Sequence, residues 1–406
     1  MEKNSTSNIM TYDITSVPHN SNLSVFSNRT AGKTATILHN AAIEEEINNS
    51  VFDKVYITSF TYTFVMLVIG CPGNAIVFYI YFTRWKKTTS RVFIMTLAAV
   101  DFMNICITAP TELYFMLEWF QTTNGVLCKF SRFWTLMMDN NSTFTLLGIA
   151  VDRYICICRP LKRQMSTKTA KIIVFISAFF AVVFAWPGLV VYGIQSVPVP
   201  IAPKTYVVGH MCLIEDSFVK TDYPLAFIIV LLTGNLLINL ILIIAYSLIA
   251  IQVIKRGSSF LYQTSKDSRK YSHSGSQSHT EDVSPDENSS ECNKAAEKGA
   301  KFNKQGSMSV QSDEVRRAQM TKTTLMLFLA TLLYMLSSIP FFVIVIIRYV
   351  QPSYYTSLSD TGKAFYQFFL RSYLLSMSLN PVIYSFIGKI FREECIKCFR
   401  KFARGL

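Results

Sequence analysis

Seven runs of apolar residues punctuate this chain, at 60–83, 92–115, 133–157, 172–192, 225–253, 324–347 and 365–387. Each is near the ~20 residues a helix needs to cross a bilayer. In hydrocarbon no water satisfies the backbone, so each run must close its own hydrogen bonds. The expected fold class is an all-α membrane protein, a seven-transmembrane helix bundle. Of 406 residues, 50% are hydrophobic and only 16% are charged, where soluble domains carry about 25% charge. The charge is concentrated between the runs. The net charge of +13 raises the question of nucleic acid. The cations flank apolar runs and are not interleaved with aromatics, so no nucleic-acid partner is expected.

The short loops set the sidedness. The first carries Arg84, Lys86, Lys87 and Arg91, and the third carries Arg159, Lys162, Arg163, Lys168 and Lys171. The second, 118–127, has neither lysine nor arginine. Positive residues stay on the cytoplasmic side, which puts the N-terminus outside and the C-terminus inside. Four N-glycosylation sequons, at Asn4, Asn22, Asn28 and Asn48, fall on the outer side. The expected organisation is a disordered, glycosylated tail over 1–55 and helices one to five over 56–255. A polar, phosphorylatable and disordered cytoplasmic loop over 256–314 precedes helices six and seven over 315–388. Residues 389–406 form a short amphipathic helix and cytoplasmic tail on the inner membrane surface. Cys395 and Cys398 there are candidates for palmitoylation. Between runs four and five, residues 195–214 alternate apolar and polar types with turn-forming Pro and Gly, which predicts a β-hairpin in the second extracellular loop.

Polar residues inside apolar runs are costly and mark function. The first run holds Asn74, the second Leu97 and Asp101, and the third ends in Asp152-Arg153-Tyr154 with Leu161 beyond. The seventh holds Asn380-Pro381-Val-Ile-Tyr384. In this order on these helices, the motifs resemble those of class A (rhodopsin-like) G-protein-coupled receptors, of the neuropeptide-receptor-like kind. The resemblance covers roughly residues 55–402.

The resemblance implies a disulfide between Cys128 and Cys212, both on the outer side. It implies that Asp152 holds Arg153 at rest and that Arg153 turns to the Gα subunit of a heterotrimeric G protein on activation, with Leu161 entering a pocket on Gα. Asn380-Pro381 interrupts helix seven, letting Tyr384 move toward Tyr246. Asp101, Ser142, Ser376 and Asn380, with Asn74 nearby, match the family's site for an allosteric Na+ ion, and no other cofactor is expected. Arrestin, receptor kinases and membrane lipid are the further partners implied. Three departures stand out. Met320 occupies the place of an acidic residue that restrains the arginine in many relatives, so basal activity is expected. Pro340 of the helix-six hinge is kept, but Ser337-Ser338-Ile339 replaces the residues around the usual tryptophan, leaving Tyr334, one and a half turns inward, as the nearest aromatic residue on that side. Helix five has Ile238 where a proline is usual.

For the ligand, the family's amine-binding aspartate position holds Thr135 and its retinal-lysine position holds Leu374. The outer ends of the runs instead offer Glu112, Arg132, Glu215, Arg348 and Arg371 among aromatic residues, which suits an amphipathic peptide. Glu112 and the loop acids pair with a basic group, and Arg348 or Arg371 with a carboxylate. A neuropeptide is the expected ligand; a lipid or small acid anchored on Arg371 is the alternative, and a non-signalling ligand-binding receptor is a third reading. A transporter would show repeats and broken helices, and a channel a pore loop or charge ring. The five histidines lie in tails and loops without a nucleophile or metal partner, so no enzyme is expected.

Overall fold

The computed structural model describes residues 45–83, 87–202, 205–273, 322–351 and 353–404. Asn4, Asn22, Asn28, Met320 and most of the 256–314 loop lie outside these residues.

Helix α1 spans Glu45–Thr83 and carries one π turn, Phe52–Tyr56. It begins inside the stretch expected to be tail. Val55, Tyr56 and Met116 are buried together against Phe52, Phe60 and Trp119, and that burial extends the helix outward. Thr88 caps α2, Thr89–Leu117, by accepting from the Arg91 amide, and Asn124 caps α3, Gly125–Cys158, by accepting from Leu127. Helix α4 is Thr167–Ala185. It stops short of the expected 192, at the Trp186-Pro187 turn, because a proline cannot continue the hydrogen-bond ladder. One turn, Gly188–Val191, leads into the hairpin. Strands β1, Tyr192–Ala202, and β2, Thr205–Ile214, pair antiparallel with Ile194 opposite Cys212. Helix α5 is Tyr223–His273, running past the boundary expected at 255, and α6 is Lys322–Val350. Helix α7 comes in two pieces, Asp360–Phe369 and Leu374–Ile387, and α8 is Lys389–Arg404.

Among the described residues, five helices (α1, α2, α4 with its following turn, α5 up to Lys255, and α6) are long and apolar enough to cross a membrane by length and composition. Helix α3 has 34 residues, but its middle, Asp139-Asn-Asn-Ser-Thr143, is polar. The bundle has its polar groups inside: Asn74, Asp101 and Thr145 are buried, while Phe175 is 75% and Leu236 60% exposed. That inversion suits a hydrocarbon surround.

Two close approaches set the frame. A Cβ on Gly70 would meet Ser378 Oγ at 2.8 Å, so only glycine lets α1 lie this near α7. At the other approach, a Cβ on Gly209 would meet Val199 at 2.8 Å and Phe120 at 3.0 Å, so the hairpin can press onto the α2–α3 loop. There the His210 amide donates to Phe120 O at 2.6 Å and the Thr122 amide to His210 O at 3.0 Å. The Cys128–Cys212 disulfide, Cα–Cα 5.5 Å, ties the same hairpin to α3. At the opposite end, Phe391 of α8 stacks on Tyr81 of α1 at 6.1 Å.

Candidate functional site

A cavity of about 1020 Å³ runs down the bundle from the hairpin. Its rim includes Arg348, Tyr349 and Val197, and its depth includes Asp139, Tyr334, Asp101 and Asn380. Ser338 is part of the lining. Its hydroxyl turns back to donate to Tyr334 O at 2.7 Å.

The rim charges are already engaged. From the sequence, Glu112 offers itself to a basic ligand and Arg371 to an acidic one; in the structure both line the cavity and each is engaged by the other. Glu112 is 5% exposed. It accepts from Arg132 Nη1 at 2.5 Å and pairs with Arg371 Nη2 at 2.9 Å. Arg371 also donates Nη1 to Gln367 O at 3.0 Å and to Gln367 Oε1 at 2.9 Å. The cause is local. Between the two pieces of α7 the Arg371 amide bonds to Phe368 O, one residue short of the helical acceptor. The Gln367 carbonyl left over is taken by the arginine side chain. Two guanidiniums, Arg371 buried and Arg132 half-buried, against one carboxylate leave one net positive charge. Glu215 is likewise paired, with Lys129 at 2.5 Å, each 35% exposed. Arg348 has no hydrogen bond or ion pair with any described residue.

Below the rim, Thr135 Oγ1 lies 3.0 Å from Thr108 Oγ1 and donates to Ser131 O. Thr108 donates to Asn104 Oδ1 at 2.6 Å, and Asn104 Nδ2 donates to Asp139 Oδ1 at 2.9 Å. Tyr334 Oη is 2.6 Å from Thr143 Oγ1 and accepts from Asn235 Nδ2 at 2.9 Å. It joins α3, α5 and α6. Asn104, Asp139, Asn235 and Gln367 escape sequence reasoning. Asp139 alone carried a signal, a charge in mid-run.

Deeper, Asp101 accepts from Asn380 Nδ2 at 2.8 Å and from Ser142 Oγ at 3.3 Å. Ser376 lines the cavity but donates to Tyr373 O at 2.8 Å, away from Asp101. Asn74 donates to Gly70 O and Met377 O. Asn380 Oδ1 is buried without a partner, an oxygen acceptor left over in the group around Asp101.

At the far end Asp152 and Arg153, both buried, form an ion pair, and Thr89 Oγ1 donates to Asp152 at 3.3 Å. Tyr154 stacks under Arg159, 5.9 Å from guanidinium to ring. Leu161 is fully exposed. Tyr246 and Tyr384 are not joined: Tyr246 Oη pairs with Thr331 Oγ1 at 3.0 Å, while Tyr384 Oη is buried without a partner. Pro340 lies within α6, where Ser372 Oγ of α7 donates to Ser337 O at 2.6 Å. Cys395 is half-buried against the cluster of Tyr81 and Phe391, and the side chain of Cys398 lies outside what is described. Asn48 sits within α1 and donates Nδ2 to Leu117 O at 2.8 Å, so its amide is engaged in the fold.

A multi-pass helix bundle with a hairpin-roofed cavity, a buried polar core and an Asp-Arg pair at its other end defines a seven-helix membrane receptor architecture. The pattern described as "7 transmembrane receptor (rhodopsin family)" matches residues 73–384, and the chain belongs to that family. Similar proteins include "Tachykinin-like peptides receptor 99D" of Drosophila melanogaster, 30% identical over 33% of this chain and 26% of the relative. "Putative neuropeptide Y receptor 11" of Caenorhabditis elegans is 29% identical over 48% of this chain and 49% of its own length. "Neuropeptide S receptor" of Homo sapiens is 25% identical over 32% and 35% respectively. The chain thus matches between about a quarter and a half of the length of these relatives.

Proposed function

We propose that this chain is a plasma-membrane receptor, N-terminus outside, that binds an extracellular peptide of the neuropeptide kind and activates a heterotrimeric G protein. The observation that carries the reading is the joint presence of the large hairpin-roofed cavity at one end and the buried Asp152–Arg153 pair at the other. Relatives named as receptors for tachykinin-like peptides, neuropeptide Y and neuropeptide S support a peptide ligand. Ligand and G protein favour the same second state of the bundle, in which Arg153 leaves Asp152 and Tyr246 leaves Thr331 to meet Tyr384. Arrestin and receptor kinases then act on the serine-rich 256–314 loop, lipid contacts α8 with Cys395 and Cys398 acylated, and glycans sit at Asn4, Asn22 and Asn28. Asp101, Ser142 and the Asn380 Oδ1 oxygen suit a hard monovalent cation, which prefers oxygen ligands, and we assign an allosteric Na+ to them.

The test is a synthetic neuropeptide library applied to cells expressing the full chain with a promiscuous Gα, read by intracellular calcium. The expected result is a peptide whose signal is abolished by Arg153→Ala while its binding persists. Binding with no signal in the parent chain would favour the non-signalling receptor instead. A lipid or small acid is the second reading. With Arg371 bound to Glu112 and Gln367, it rests on Arg348.

A further inference from the structure

The acids in and beside the cavity differ in how they are satisfied: Asp222 is exposed, and Asp360 has Lys363 at 3.9 Å. Glu112 has two guanidiniums, Glu215 has Lys129, and Asp101 has two uncharged donors. Asp216 receives the Ser196 amide at 2.9 Å and hydroxyl at 2.8 Å. Asp139 has one hydrogen bond, from Asn104, and no cation among the described residues. It lines the cavity on α3, one turn below Thr135. Among the described residues, no other side chain hydrogen-bonds to its carboxylate. Thr143 donates to the backbone oxygen of Asp139 at 2.8 Å, not to its carboxylate, and Ser338 donates to Tyr334 O. A carboxylate held this deep without a counter-charge costs several kcal/mol, and a ligand cation entering the cavity removes that cost.

We propose that Asp139 is the anionic floor of the ligand cavity and takes a guanidinium or ammonium group at the deep end of the ligand. The cation site that Thr135 cannot provide is supplied one helical turn further in. Ser338 makes the site reachable, since an aromatic side chain there would occupy the space leading to it. The opposite end of the cavity has the converse character, with Arg348 uncommitted and a net positive charge on the Glu112, Arg132 and Arg371 triad. The cavity therefore selects a ligand whose basic side chain points inward and whose acidic or carbonyl group stays at the rim. This deepens the receptor reading and rests on it for the ligand being a peptide.

Two measurements on the full chain in cells separate the inference from that reading. The first uses synthetic peptides containing arginine or lysine, each with a matched citrulline or norleucine analogue, on the parent and on Asp139→Asn. The expected result is a loss of ~10–100-fold in potency on neutralising one basic residue in the parent. In Asp139→Asn that difference should be nearly absent. An equal loss in both overturns the assignment. The second needs no agonist. Cysteine is placed at Ser338→Cys, or at Thr135→Cys if the first fails to reach the surface, and modified with cationic 2-aminoethyl and anionic 2-sulfonatoethyl methanethiosulfonate. The ratio of cation to anion rates should fall about tenfold on adding Asp139→Asn, as removal of a local negative potential requires. An unchanged ratio overturns the inference whatever the peptides do. If no peptide activates the parent but the ratio falls, the peptide reading fails and the anionic floor stands.

Discussion

Asn74 of α1 donates its side-chain amide, at 2.7 Å, to the carbonyl of Met377 in α7, the acceptor four residues before Pro381 that the proline cannot serve. The proline and the asparagine are a matched pair: one opens the ladder of α7 and the other closes it from a neighbouring helix. The close approach at Gly70 makes the reach short enough.

Asn74→Ala should therefore leave a buried carbonyl without a donor, at a cost of about 1–3 kcal/mol. In a Pro381→Ala background the new backbone amide at 381 serves Met377, and the cost of Asn74→Ala should shrink markedly. Thermal unfolding of the purified receptor in detergent, run as a double-mutant cycle, checks this. Equal costs in both backgrounds would sever the link between the two residues.

Glu112 and Glu215 look alike in sequence, and their pairings predict different outcomes. Glu112→Gln leaves two guanidiniums that are 25% and 7% exposed without their carboxylate, which should cost about 3–5 kcal/mol. Glu215→Gln breaks a rim pair 35% exposed on both sides and should cost less than about 1 kcal/mol. Unfolding midpoints and surface expression of the two variants should differ clearly. A mild Glu112→Gln would mean that Arg132 and Arg371 find water or each other's partners.

The seven helices, the hairpin and the Asp-Arg and Asn-Pro-x-x-Tyr motifs were legible in the sequence because each rests on local pattern: apolar run length, alternation, or a motif at fixed spacing. What stayed hidden was pairing. Arg371 reads as a ligand anchor until the turn between the pieces of α7 frees the Gln367 carbonyl and draws its guanidinium inward. Glu112 reads as open until two arginines from other helices meet it. Ser376 has the right type for the ion site but spends its hydroxyl on Tyr373. Asp139 lay in plain view in the middle of α3, and only the cavity distinguishes it from the asparagines that follow. Charge at a helix end is visible in a sequence; the partner across the bundle is not.

Sodium should stabilise the resting receptor through Asp101. Raising NaCl against an equal ionic strength of N-methylglucamine chloride should raise the unfolding midpoint of the parent by several degrees, as binding to the folded state alone requires. Asp101→Asn removes the charge that holds the ion and should abolish the difference. A sodium effect of the same size in Asp101→Asn would move the ion elsewhere or dismiss it.

If the Asp152–Arg153 pair restrains the resting state, as proposed above, loosening it should show in basal signalling. Cells expressing the chain should signal above mock-transfected cells without added ligand, and Asp152→Asn should raise that basal level a few-fold, as ~1 kcal/mol off the resting state does. Basal signalling equal to mock in both would mean that other contacts hold the resting state.

Tyr334 links three helices. Its ring is packed in the core with Leu97, Leu146 and Leu327, and its hydroxyl ties Thr143 of α3 to Asn235 of α5. Outward movement of α6 must break that tie. Tyr334→Phe keeps the ring and removes the hydroxyl, which should cost about 1 kcal/mol of resting-state stability and raise basal signalling a few-fold. The further truncation Tyr334→Ala opens a cavity worth about 3–5 kcal/mol and should lower surface expression instead. Concentration–response curves at matched surface expression separate the two effects. If Tyr334→Phe signals like the parent both with and without agonist, the hydroxyl only packs, and the restraint on α6 lies with its other bonds to neighbouring helices, among them Ser372 to the Ser337 carbonyl at 2.6 Å and Tyr246 to Thr331 at 3.0 Å.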